Sequence, residues 1–206
     1  MKYFTKGLLA LVLCYTIVLQ GCSLAWVGTL DTVLAAAAPA LNNVLTVISL
    51  AQNKPVNTAL EAKITADAAN LKTLAADFAA ASGATPTACQ ELQAGVAVFN
   101  DDASTVLALV QASGNSNVAA IFAAADAFVA AITGLIPACA SPAAIKASKL
   151  SIPAKVAAIN SNALVANYNN VLTKKTGNAV VDAYTASHKV HGHSKFTRMV
   201  TFGVQK

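Results

Sequence analysis

The sequence predicts an all-α fold, an up-down bundle of four to five alanine-rich helices, from three observations. Apolar residues recur at spacings of three and four along most of the chain. Breaks rich in Gly, Pro, Asn and Ser punctuate them. Alanine, the strongest helix former, supplies 46 of the 206 residues. It also explains why 56% of the chain is hydrophobic while only 6% is aromatic. An alanine-rich core packs helices closely but buries less carbon per residue, so moderate stability is expected. With 11% of residues charged, Asn, Ser, Thr and Gln carry much of the surface polarity.

The first helix is expected from Asp31 to about Ala51, with Leu34, Leu41, Val44, Leu45 and Ile48 inward and a kink at Pro39. Asn53-Lys54-Pro55 ends it. Thr58-x-x-Glu61 reads as a capping box for the second helix, whose Leu60, Ile64, Leu71, Leu74 and Phe78 face the core before Ser82-Gly83. The third starts at Thr85-Pro86-Thr87, where Thr87 and Gln90 form another box. Its Cys89, Leu92, Val96, Phe99, Ala103, Val106 and Val110 alternate steps of three and four, a seam suited to lengthwise packing.

Ser113-Gly114-Asn115-Ser116 turns the chain into a fourth helix, Val118–Ile136, apolar on most faces with Asp126 its single charge. It reads as the central helix. Its length also fits a membrane span, against which a mid-helix acid costs about 2.5–3.5 kcal/mol. A short helix at Pro142–Leu150 is expected to lead to a fifth from Pro153 to Lys175, carrying Val156, Ile159, Leu164, Tyr168 and Val171 before Gly177. Residues 188–206 read as a flexible basic tail, in which Phe196–Phe202 alternates loosely enough to add as an edge strand or to dock on a partner.

The N-terminus carries an address. Lys2 and Lys6 precede an uncharged run from Gly7 to Leu19, the layout of a secretory signal and too short to span a bilayer alone. Leu19-Gln20-Gly21-Cys22 follows at once. This tetrapeptide resembles the lipobox of bacterial lipoprotein precursors. The resemblance implies diacylglyceryl transfer to the Cys22 thiol, cleavage after Gly21 and acylation of the new amino terminus. Ser23, where Asp would retain a lipoprotein in the inner membrane, implies delivery to the outer membrane. The implied organisation is a signal peptide at 1–21, a lipidated tether at 22–30, a helical domain at 31–187 and the tail at 188–206. A rival reading keeps the uncharged stretch from Gly7 to Leu30 as an uncleaved anchor, with Trp26 at the far interface. Either way the remainder is exported.

Of four cysteines, Cys14 lies in the apolar run and Cys22 in the lipobox, which leaves Cys89 and Cys139. An exported domain meets an oxidising compartment, where that pair should join. Geometry agrees: the two cysteines are equidistant from the turn at residue 114, so an antiparallel hairpin of the third and fourth helices sets them opposite each other. The alternative is two unpaired buried thiols.

Charge is uneven. Residues 23–140 carry a net −5, whereas residues 141–206 carry nine Lys or Arg against Asp182 alone. The plain account is a basic surface helix and tail; the functional one is contact with an envelope protein, anionic lipid or polyanions of the envelope. Nucleic acid is not an expected partner, since no binding motif accompanies the charge. Catalytic motifs are missing from the sequence. Asp101 and Asp102 point about 100° apart on a helix and read as an exposed polar face. His188-x-x-His191-x-His193 could bind Zn²⁺ or Cu²⁺ weakly, but a solvated tail is the simpler reading; no metal site or cofactor is expected. The function expected is a non-enzymatic envelope lipoprotein acting as a structural or interaction module. A carrier for a small apolar or lipid ligand is the alternative.

Overall fold

A computed structural model describes residues 4–80, 86–136 and 159–191. Among these residues the chain is all-helical, with α1 Phe4–Gln52, α2 Thr58–Ala80, α3 Pro86–Ser113, α4 Ser116–Leu135, α5 Ser161–Leu172 and α6 Ala179–Ser187. The expected helix at Pro142–Leu150, the Phe196–Phe202 segment, Cys139 and His193 lie outside the described residues. The fifth helix, expected from Pro153 to Lys175, instead starts at Ser161 behind an extended Asn160 cap and ends at Leu172.

Helix α1 corrects the expected start at Asp31: it is already helical at Phe4, and the helix continues through Pro39. It is also the enclosed helix. From Val33 to Ser49 only Pro39 is exposed, and Leu41, Val44 and Val47 are fully buried. Of its buried polar groups, the Ser49 hydroxyl is shared between the carbonyls of Leu45 and Pro55, whereas Asn42 Oδ1 has no hydrogen-bond partner among the described residues. The other five helices pack around it.

The central role expected for the fourth helix therefore belongs to α1. One face of α4 buries Val118, Ile121, Phe122, Ala125, Phe128 and Ile132, while Ala119, Ala120, Ala123, Asp126 and Ala130 are exposed. Alanine scores as apolar yet costs little to leave in water, so the outer face of α4 is indistinguishable from a core face by hydropathy alone. Trp26–Gln52 and Ser116–Leu135 are long and apolar enough to cross a membrane; 72% and 56% of their most apolar stretches are buried in protein.

Specific contacts give the helix directions. Asn42 meets Thr65, Thr46 meets Glu61 and Lys72 meets Asp31, so α1 and α2 run antiparallel. Lys63 meets Asp102, and Gly95 faces Leu71 and Leu74, which sets α3 antiparallel to α2. Phe128 against Tyr168, Gly134 against Ile159 and Asn117 on the Thr176 carbonyl do the same for α4 and the α5 segment. The turns follow asparagine chemistry. Asn115, Asn160 and Asn178 cap α4, α5 and α6, each accepting from backbone N–H groups of the first turn. Asn57 caps α2 by accepting from Leu60 N–H, which corrects the expected Thr58 box; Glu61 accepts instead from the Thr46 hydroxyl. Gly114, at φ 62°, supplies the left-handed turn between α3 and α4.

Candidate functional site

Three places carry chemistry beyond packing. The first is the N-terminal end of the core. Cys22 falls inside α1, whose backbone is continuous from Phe4. Four residues on, Trp26 is 4% exposed and packs edge-on against Phe78, with ring centroids 5.8 Å apart; Leu30 is fully buried. The stretch expected as a tether is thus helical, and by Trp26 it belongs to the core.

The second is a buried acid. Asp101 is exposed as expected, but Asp102 is 1% exposed and bonded to the Lys63 ammonium on α2, which Asp67 shares at 2.9 Å. Among the described residues its other carboxylate oxygen has no partner. Burial pushes the Asp102 carboxyl above its ordinary range against the opposing pull of Lys63, while the two acids raise the Lys63 ammonium. Spacing held the clue: Asp102 lies three after Phe99 and four before Val106, on the inward stripe of α3.

The third is the junction of α1, α5 and α6. Tyr168, fully buried, donates to the Ala40 carbonyl at 3.1 Å, and burial raises its phenol. Asn43 accepts from the Tyr184 hydroxyl and donates to the His188 carbonyl, tying α6 and its exit to α1. The Tyr184 and His188 rings stack at 3.8 Å, and His188 Nδ1 faces the Tyr184 carbonyl. Beyond α6, the Asn169 amide takes both backbone groups of Val190, accepting from its N–H at 2.9 Å and donating to its carbonyl at 2.8 Å. Val190 is 4% exposed. The tail expected from residue 188 is therefore docked through Val190, held by a side-chain amide doing what a neighbouring strand would do.

A groove of about 200 Å³ opens beside this junction, with Lys174, Lys175 and Lys189 on its walls and Thr173, Thr185 and Asp182 among its lining. All three lysines are exposed, and among the described residues no ion pair engages them. Asp182 is committed to the chain, accepting at 2.7 Å from both the N–H and the hydroxyl of Thr176, which hold its carboxyl below the ordinary range. The groove is thus net positive.

Cys89 is buried at the start of the α3 seam, and its expected partner lies outside the described residues. His188 and His191 are placed, but no group of three or more His, Cys, Asp or Glu among the described residues is arranged to hold a metal. No family model, curated protein or solved structure matches the chain.

Proposed function

We propose that this protein is a non-enzymatic lipoprotein of the bacterial cell envelope, anchored by a lipid on Cys22, whose up-down helical bundle is a structural or interaction module. One observation carries the reading. The basic and apolar segment ending in Leu19-Gln20-Gly21-Cys22 passes within four residues into Trp26 of the core. Acyl chains on Cys22 would seat the base of the bundle directly on a membrane, and two or three chains hold where one binds marginally. Ser23 favours the outer membrane, with the bundle facing the periplasm.

Export also suits a disulfide between Cys89 and Cys139. Its support is that Cys89 is buried, and that the turn at Gly114 returns α4 towards the end of α3 where Cys89 lies. Closing a loop of about 50 residues would contribute roughly 3–4 kcal/mol. A carrier role would call for an enclosed apolar cavity; among the described residues the grooves along α3–α4 and α4–α5 are open to solvent.

Replacing Cys22 with Ser in a bacterial host tests the anchor. Incorporation of labelled palmitate and removal of the first 21 residues should both cease. A variant that is still cleaved, or a wild-type chain that never takes up label, overturns the lipoprotein reading. Non-reducing peptide mass analysis should show Cys89 joined to Cys139, and free thiols at both would overturn the staple.

A further inference from the structure

The lysine groove and the proposed anchor occupy opposite ends of the molecule. Asn43, which holds the His188 carbonyl next to Lys189, lies 21 residues along α1 from Cys22. At 1.5 Å per residue that is about 32 Å. Lys175 precedes Thr176, whose carbonyl is held by Asn117 in the first turn of α4, again at the far end. Electrostatic screening at physiological salt has a length of about 8 Å. A bundle standing on Cys22 therefore leaves these lysines beyond the reach of its own membrane's headgroups. Among the described residues, the exposed charges nearest the anchor end are of the opposite sign: Asp77 beside Phe78, and Glu91 just after Cys89.

We propose that the groove of Lys174, Lys175 and Lys189 binds an anionic polymer, one carrying phosphate or carboxylate groups, in the space away from the anchoring membrane. The inference rests on the Cys22 anchor for its direction and on the groove alone for its ligand. Three exposed lysines line a cleft of about 200 Å³, room for one anionic group and its neighbours on a threaded chain. The flat face of a bilayer cannot enter such a cleft. Thr173 and Thr185 also line the cleft, their hydroxyls donating to the carbonyls of Asn170 and Asp182, and the one acid in the lining is already bonded to Thr176. Bound this way, the protein links a membrane to a second, charged layer of the envelope.

The test uses the full chain, purified from bacterial membranes and reconstituted in vesicles of neutral phosphatidylcholine. The soluble probes are linear inorganic polyphosphate and poly-glutamate, which separate phosphate from carboxylate recognition, and binding is read by cosedimentation across a salt series. At least one probe should bind, and the K174Q/K175Q/K189Q variant should lose at least tenfold in affinity with an unchanged melting curve. A variant on the anchor side of the bundle, K72Q, whose lysine pairs with Asp31, should bind as the wild type does.

Equal loss in both variants, or no loss in the groove variant, overturns the proposal. Bridging to a second population of anionic vesicles without polymer binding overturns it in favour of a lipid partner. The mass of the N-terminal peptide from the same sample reports lipidation separately, so a missing anchor and a failed groove give different results.

Discussion

Tyr168 reaches across the core to the backbone carbonyl of Ala40, a residue 128 positions earlier, and closes α5 onto α1 with a hydrogen bond of 3.1 Å. Its ring meets Phe128 of α4 edge-on at 5.9 Å, so one side chain joins three helices. Tyr168→Phe keeps the ring and removes the bond. Equilibrium denaturation should show a loss of about 1 kcal/mol. Tyr168→Ala also removes the packing and should cost about 3–5 kcal/mol. Equal stability of wild type and the Phe variant would mean that the bond contributes nothing.

The Asn169 clasp on Val190 is a two-bond contact, and its halves can be separated. Asn169→Asp keeps the acceptor for Val190 N–H and loses the donor, whereas Asn169→Ala loses both. Hydrogen exchange at the Val190 amide should quicken modestly in the Asp variant and strongly in the Ala variant, while amides in α3 stay protected. Exchange equally slow in all three proteins would show that the segment is held by burial of Val190 alone.

Two carboxylates impose pH dependences of opposite sign. Asp102 ordinarily titrates near 3.8 and is raised in the folded protein. Between those two values the folded state keeps a proton that the unfolded chain has lost, so stability falls as pH rises through the window. Asp182 is lowered, so its contribution is complete above about 3.8 and disappears as pH falls through its native value. Denaturation midpoints measured from pH 3 to 7 should lose the first slope in Asp102→Asn and the second in Asp182→Asn. At neutral pH, Lys63→Met should destabilise by leaving Asp102 buried without its ammonium. Asp102→Leu should be close to neutral or stabilising by comparison.

At Gly95, α3 packs directly against α2. A Cβ there would stand 2.8 Å from Leu74 Cδ1 and 3.3 Å from Leu71 Cδ1. Both are ends of flexible side chains, and alanine gains about 1 kcal/mol of helix propensity, so Gly95→Ala should be nearly neutral by thermal melting. Gly95→Leu cannot be absorbed in that way and should cost about 1–3 kcal/mol. A stabilised Leu variant would show slack between the two helices.

The sequence made the large apolar residues legible and left the small and polar ones ambiguous. Every position of the α3 seam from Cys89 to Val110 is buried, as are Leu34, Leu41, Val44, Leu45 and Ile48 of α1. Branched and aromatic side chains have one favourable place to go, so their spacing is informative. Alanine has two, and for that reason α4 passed for the central helix. Helix α6 escaped notice because its nine residues bury only Val181 and Thr185, too few to show a period. Its cap, Asn178, is readable in the sequence once asparagine is seen to start four of the helices, at Asn57, Asn115, Asn160 and Asn178. At the candidate site, the surplus of lysine was visible from composition. Its convergence on a groove was not, because that depends on Asn43 and Asn169 fixing backbone atoms far away in the chain. The burial of Asp102 is not legible in the sequence, because an acid on the inward stripe makes sense only with Lys63 of the neighbouring helix beside it.

Ala36, Ala37 and Ala40 are fully buried in α1, where a typical core would place leucine or phenylalanine. Unfolding such a helix wets little hydrocarbon and a full complement of peptide groups. Apolar exposure raises the heat capacity by about 0.45 cal/K/mol per Å², and polar exposure lowers it by about 0.26. The heat-capacity increment of this protein should accordingly fall below the usual 12–15 cal/mol/K per residue. Its free energy of folding then traces a shallow arc against temperature, with a modest summit and gentle flanks on the cold side as well as the hot.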